Sequence, residues 1–153
     1  MKKIIALIDD QSDKEIVIGS AFELAQLLNV EIIICHLVFA PNNWEQLGRY
    51  EREKHPNAKV KINEARLLMD DLLGEIRLKN IRAKKRFLFF DKNEKHYNLD
   101  FQKDELVIME KKFLKRGRNR ALRDLIFNLE PAKLILSEPL KINTINDIVL
   151  TSN

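Results

Sequence analysis

The sequence predicts an α/β fold, a doubly wound and mostly parallel sheet of five strands with helices on both faces. Short apolar segments alternate with longer segments whose apolar residues recur every three or four positions, as in amphipathic helices. Several short segments are apolar almost throughout, which is typical of parallel strands covered on both faces. A chain of 153 residues can bury the core that one such domain needs.

The first half of the chain alternates regularly between the two kinds of segment. The predicted elements are, in order, strand 4–8, helix 14–28, strand 31–39, a polar connection over 40–57, helix 58–79 and strand 81–90. Ser12 or Asp13 can cap the first helix, because a short oxygen side chain satisfies backbone N–H groups at a helix start. Asn29 ends that helix. The alternating start of the third strand favours a place near the sheet edge.

The second half contains a cation-rich loop, residues 111–118, on which the interpretation of the function depends. The predicted elements are a polar stretch over 91–103 with a possible short helix at 94–101, strand 105–109, loop 111–118, helix 119–129 and strand 133–136. Pro131 ends the last helix. The loop follows the carboxyl end of a strand, where doubly wound sheets bind ligands. It is rich in cations, and Gly117 is its one glycine.

Four segments resemble one known family in their order and spacing. They are residues 3–9, which end in Asp9, and residues 34–38, 104–109 and 125–136. Together they are similar to a universal stress protein domain over residues 1–138, with residues 139–153 as a C-terminal tail. The resemblance implies the doubly wound fold and a homodimer formed through the last strand. It also implies that Asp9 matches an aspartate that contacts adenosine in the ATP-binding members.

The phosphate loop of the ATP-binding members is degenerate here. Those members carry Gly-x2-Gly-x9-Gly followed by Ser or Thr after the fourth strand, because glycines let backbone N–H groups approach phosphate oxygens. Glu110 and Phe113 stand where the first two glycines would be, and Asn119 and Arg120 where the final pair would be. The resemblance therefore implies a binding or regulatory protein without cofactor, with ATP and AMP disfavoured, that acts through homodimerisation or a protein partner.

The alternative is a nucleotide- or anion-binding site that uses side-chain charge in place of backbone amides. Asp9 would face the ribose and the cations after the fourth strand would face the phosphates. The candidate residues are Asp9, Lys111, Lys112, Arg116, Arg118, Asn119 and Arg120. The simpler interpretations are that Asp9 ends a strand or caps a helix, and that the cations form a solvated surface.

The candidate dimer interface combines the last strand with the tail. Residues 147–151 have strand character, and such a segment can add to a sheet edge of its own chain or of a partner. The candidate interface residues are Lys133, Leu134, Ile135, Leu136, Ile148, Val149 and Leu150.

Composition disfavours several classes of function. A net charge of +4 permits an anionic partner, but an aromatic content of 7% offers few stacking platforms, so nucleic acid binding is not expected. The three histidines lack the spacing of a metal site, and no catalytic set is recognisable, so we expect no enzyme. No apolar stretch approaches the ~20 residues of a membrane helix. The single cysteine, Cys35, should be buried, and we expect a cytoplasmic protein.

Overall fold

The computed structural model describes residues 2–91, 93, 99 and 101–140 and contains one five-stranded sheet. Its strands are β1 (Lys3–Ile8), β2 (Glu31–Phe39), β3 (Ala83–Phe90), β4 (Glu105–Glu110) and β5 (Ala132–Leu136). Their order across the sheet is β3-β2-β1-β4-β5, and all four pairings are parallel. The predicted α/β class with a parallel sheet is confirmed.

Within the described residues, five α-helices cover the two faces of the sheet or connect its strands. They are α1 (Ser20–Leu28), which continues a π-helical turn at Glu15–Gly19, α2 (Arg49–Glu53), α3 (Pro56–Leu78), α4 (Lys111–Lys115) and α5 (Arg120–Phe127). Helices α1 and α3 pack on one face, whereas α4 and α5 pack on the other. None of the helices within the described residues is long and apolar enough to cross a membrane.

Strand β1 shows why the sheet needs covering on both sides. Its residues from Ile4 onward are fully buried, and they alternate between the two faces because successive side chains of a strand point in opposite directions. Ile4 and Ile8 lie in the cluster under α1 and α3, whereas Ile5 and Leu7 lie in the cluster under α4 and α5. The uninterrupted apolar run thus follows from the central position of β1.

The first helix begins and ends as the sequence predicts. The Oδ1 atom of Asp13 accepts hydrogen bonds from the N–H groups of Glu15 at 3.0 Å and Ile16 at 3.3 Å, so Asp13 is the cap. Ser12 has a different role in the loop after β1. Asn29 adopts a left-handed conformation, with φ of 54°, and ends α1.

The connection after β2 is more structured than a polar loop. It contains a 3-10 turn at Trp44–Gln46 as well as α2, and Trp44 is buried beside α3. The guanidinium group of Arg52 donates a hydrogen bond of 2.9 Å to the carbonyl oxygen of Trp44. Burial of Trp44 and this hydrogen bond to its backbone together order a segment whose overall composition is polar.

Three further expectations need correction. The predicted loop 111–118 contains α4 and a 3-10 turn at Gly117–Asn119. The third strand begins at Ala83 instead of residue 81, since Asn80 is left-handed with φ of 63° and delays the extended backbone. The last helix spans Arg120–Phe127, shorter than 119–129. The possible helix at 94–101 falls largely, and the tail strand at 147–151 wholly, outside the described residues.

The strand order defines one crevice at the carboxyl ends of the strands where a ligand would be expected to bind. β1 lies between β2 and β4, and the chain leaves β1 and β4 toward opposite faces. The crevice between two such strand ends is the switch point of a doubly wound sheet, where ligands commonly bind. The loop after β1 and the segment after β4 therefore define the candidate site.

Candidate functional site

An ion-pair network closes the switch point between β1 and β4. Asp9, whose side chain is 2% exposed, directly follows β1. The guanidinium group of Arg116 forms a bidentate pair with this carboxylate. Its Nε donates to Oδ2 and its Nη2 donates to Oδ1, each at 3.0 Å. Nη2 of Arg118 donates to Asp9 Oδ2 at 3.1 Å and also to Oδ1 of Asp10. Bidentate pairs of this kind are among the strongest polar contacts in proteins.

The loop after β1 supplies further hydrogen bonds to Asp9. The hydroxyl of Ser12 donates to Asp9 Oδ1 at 3.0 Å, and the N–H of Gln11 donates to the same oxygen at 3.0 Å. Burial by itself would raise the pKa of Asp9, but the hydrogen bonds from Arg116 and Ser12 and the charge of Arg116 hold that pKa well below its usual range. Asp9 is therefore a carboxylate at every physiological pH.

Side chains at the end of β4 and just after it are buried beside the loop after β1. Glu110 is buried, and its Oε2 accepts a hydrogen bond of 2.8 Å from the N–H of Asp13, which joins the end of β4 to the helix start after β1. Phe113 and Leu114 are buried in the core cluster with Leu122. These two side chains therefore anchor the segment after β4 in the hydrophobic core.

The structure separates the candidate anion-site residues into two groups. Asp9, Arg116, Arg118 and Asn119 come together, with Nδ2 of Asn119 donating to Asp9 Oδ2 at 3.4 Å and to the carbonyl of Phe113 at 2.8 Å. The others lie apart from Asp9 and are exposed: Lys111 and Lys112 on α4, and Arg120 at the start of α5 beside an open cavity of about 980 Å³.

A smaller cavity remains open beside the network. It measures about 360 Å³ and lies between the carboxyl ends of β1 and β2 and the first half of α3. Its apolar wall includes Leu37, Val38 and Phe39 of β2. Its polar lining includes Asp10, Lys14, His36, Lys61, Glu64 and Arg118.

The charged groups of the small cavity are mostly paired with each other. Lys61 Nζ lies 3.3 Å from Asp10 Oδ2 and 3.7 Å from Glu64 Oε2. Lys14 Nζ instead donates to two carbonyl oxygens, those of Ser12 at 2.9 Å and Asp9 at 3.4 Å. The ammonium group of Lys14 thus bonds to backbone carbonyl groups, and it pairs with no carboxylate in the part of the chain that the structure describes.

His36 lies at the end of β2 and lines the small cavity, although its residue is only 3% exposed. Its Nδ1 is 2.9 Å from the carbonyl oxygen of Leu37. A carbonyl only accepts, so Nδ1 carries the hydrogen and Nε2 keeps a free lone pair. Burial, with the nearby charge of Lys14, lowers the pKa of His36 against the opposing effects of its hydrogen bond and of Asp9 and Asp10.

Sequence reasoning missed most of the small cavity. The sequence gives the three histidines, His36 among them, no metal-site spacing, and it does not single out Lys14 or Lys61. The available signal was that His36 and Asp10 both stand at or just beyond a predicted strand end, where side chains of neighbouring parallel strands meet. Lys61 carries no such signal, because its place on α3 depends on how that helix packs against β2.

No cluster that includes three or more of His, Cys, Asp and Glu and is able to hold a metal ion occurs among the described residues. Cys35 is buried, as predicted, and burial raises the pKa of its thiol to about 12. A thiol with this pKa stays protonated at neutral pH and is a poor nucleophile.

In comparisons with known proteins, no family model, no curated protein and no solved structure matches this chain. The fold and the site define a doubly wound α/β protein with a closed switch point and a small cavity beside it. The resemblance to universal stress proteins stays a prediction from the sequence.

Proposed function

We propose that this protein is a binding or regulatory protein of the universal stress protein type that does not use ATP and acts through homodimerisation or a protein partner. The observation that carries the proposal is the occupation of the switch point by the chain's own side chains. Asp9, Arg116 and Arg118 satisfy one another there. A cytoplasmic location is part of the proposal, since a chain with one cysteine needs no oxidising compartment.

A triphosphate would meet an unfavourable environment at this point. To reach the guanidinium of Arg116 it would have to displace Asp9 from a bidentate pair. Breaking a buried pair is costly because the partner charge is left without compensation. The displaced Asp9 carboxylate would also stay close to the phosphates. The alternative proposal, a phosphate site built from Lys111, Lys112 and these arginines, therefore has less support.

Titration calorimetry with ATP and with AMP tests this part of the proposal. We expect no saturable heat at millimolar nucleotide, because the arginines at the switch point are already neutralised by Asp9 and Asp10. The purified protein should also carry no nucleotide when its denatured extract is analysed by mass spectrometry. Micromolar binding of either nucleotide would contradict the proposal.

The edge of the sheet at β5 supports the dimer. Within the described residues β5 pairs with β4 alone, so its other side offers free backbone groups to a second strand. Lys133, a residue type that commonly blocks such edges, instead donates from Nζ to the carbonyl oxygens of Leu129 and Pro131. Ile135 is 39% exposed on this strand.

Replacing Ile135 by lysine tests the dimer. We expect the mass measured by light scattering to fall from two chains to one, because the lysine charge would lose water where the face of β5 adjoins the partner strand. Leu67→Lys is the matched control, since Leu67 is 68% exposed on α3, at the other side of the sheet order. The assignment of β5 fails if Ile135→Lys keeps the mass of two chains, or if the parent protein is a monomer.

A further inference from the structure

We propose that the small cavity between β1, β2 and α3 binds an organic monocarboxylate that has an apolar body and one hydrogen-bond donor. This inference goes beyond the function proposed above, because it concerns the open cavity and not the closed switch point. Three properties of the cavity lining carry it: an acceptor without a partner, a cation without a carboxylate, and an apolar wall.

The acceptor is Nε2 of His36. The ring is almost fully buried, and its Nδ1 is committed to the carbonyl oxygen of Leu37. Nε2 has no hydrogen-bond partner in the described part of the chain, although the ring lines the cavity. The unprotonated nitrogen of a neutral imidazole is an acceptor, and this one is open to a donor that enters the cavity. A ligand hydroxyl or N–H group would satisfy it, which defines the donor on the ligand.

The cation is Lys14. Its ammonium group donates to two carbonyl oxygens, whereas the other cations of the lining, Lys61 and Arg118, already pair with Asp10. Lys61 also pairs with Glu64, and Arg118 with Asp9, which Arg116 holds as well. Four cations, Lys14 among them, therefore face the three carboxylates of Asp9, Asp10 and Glu64, and one positive charge is left for a ligand. A carboxylate supplies one negative charge, whereas a phosphate dianion would bring a second one close to Asp10 and Glu64. The charge balance therefore favours a monocarboxylate.

The apolar wall exists because β2 is longer than β1. The last residue of β1, Ile8, pairs with His36, so Leu37, Val38 and Phe39 extend beyond the end of β1. The space above the end of β1 is the cavity, with α3 as its far side. Its volume of about 360 Å³ lies within the range of small-molecule sites, roughly 300 to 1,000 Å³.

Indole-3-acetate is a suitable probe, because it combines one carboxylate, one N–H donor and an aromatic body. We expect saturable binding at neutral pH in titration calorimetry and a change of the Nε2 nitrogen shift of His36 in NMR spectra. Two analogues separate the features: indole-3-acetamide lacks the charge, and 1-methylindole-3-acetate lacks the donor. Loss of a hydrogen bond to a charged group should weaken binding of the acetamide by about tenfold or more.

Lys14→Gln provides the matching change in the protein. We expect it to weaken binding of indole-3-acetate by about tenfold or more and to leave the acetamide unaffected. Lys111→Gln is the control, since Lys111 is exposed on α4 and does not line the cavity. Neither lysine is buried in the core, so both variants should keep the near-ultraviolet circular dichroism of the parent protein.

Several outcomes would overturn this inference. They are no binding of indole-3-acetate at millimolar concentration, equal binding of the acetamide, or an unchanged affinity in Lys14→Gln. A shift of His36 Nε2 by AMP but not by indole-3-acetate would also overturn it, because the ligand would then be a phosphate. The first three results change neither the mass by light scattering nor the nucleotide titrations, so they leave the proposed function standing. Binding of AMP would count against both proposals, and the response to indole-3-acetate tells the two failures apart.

Discussion

Replacing Phe113 by alanine should lower the free energy of unfolding by about 3 to 5 kcal/mol. Phe113 is 0% exposed and packs in the cluster that includes Leu122 and Ile126 of α5. Its removal would leave a cavity under the segment after β4. Urea denaturation followed by circular dichroism measures the change as a lower midpoint with an unchanged slope.

Phe127→Ala is the matched control for Phe113→Ala. Phe127 is 53% exposed on α5, so the same truncation there should change the free energy of unfolding by no more than about 0.5 kcal/mol. Equal effects of the two substitutions would mean that the segment after β4 does not pack into the core. The segment would then be free to rearrange around a bound phosphate.

Asp9→Asn should lower the free energy of unfolding by about 3 kcal/mol or more. The substitution keeps the shape of the side chain but removes the charge that compensates Arg116, whose own side chain is only 14% exposed. Thermal or urea denaturation at neutral pH measures the loss. Unchanged stability of Asp9→Asn would show that Arg116 does not depend on this carboxylate.

Asp10→Asn is the control for the Asp9 substitution. The Asp10 side chain is 31% exposed and pairs with Arg118 and Lys61 near the surface. Ion pairs of this kind contribute about 0 to 1 kcal/mol, so Asp10→Asn should be several times milder than Asp9→Asn. If instead the two variants lose the same stability, the buried bidentate pair is not the main stabilising contact at the switch point.

The contribution of Asp9 to the free energy of unfolding should also depend on pH, and it should decrease as the pH falls. Its folded pKa is depressed, so its contribution is fully present above its unfolded pKa of about 3.9 and is lost as the pH falls toward the folded value. The stability difference between the parent protein and Asp9→Asn should be constant from about pH 5 to 8 and shrink below about pH 4. A difference that grows on acidification would contradict this assignment of the charge.

The sequence was most informative where burial imposes a regular pattern. The continuous apolar run of residues 4–8 predicted a central strand, and β1 is the middle strand of the sheet with its residues from Ile4 onward fully buried. It was least informative at residues 111–118. There two apolar residues, Phe113 and Leu114, stand among charged ones, and a helix of five residues is too short to show a period.

By itself the sequence determined the class of the fold, the approximate place of each strand and the scarcity of glycine after the fourth strand. Only the tertiary structure decided which charges meet. Asp9 and Arg116 are 107 residues apart, and either one reads in isolation as an ordinary surface charge. They pair because β1 and β4 are neighbours in the sheet, which brings both strand ends to one crevice. Hydrophobic periodicity is a local property of the chain, whereas the pairing of distant charges depends on the strand order.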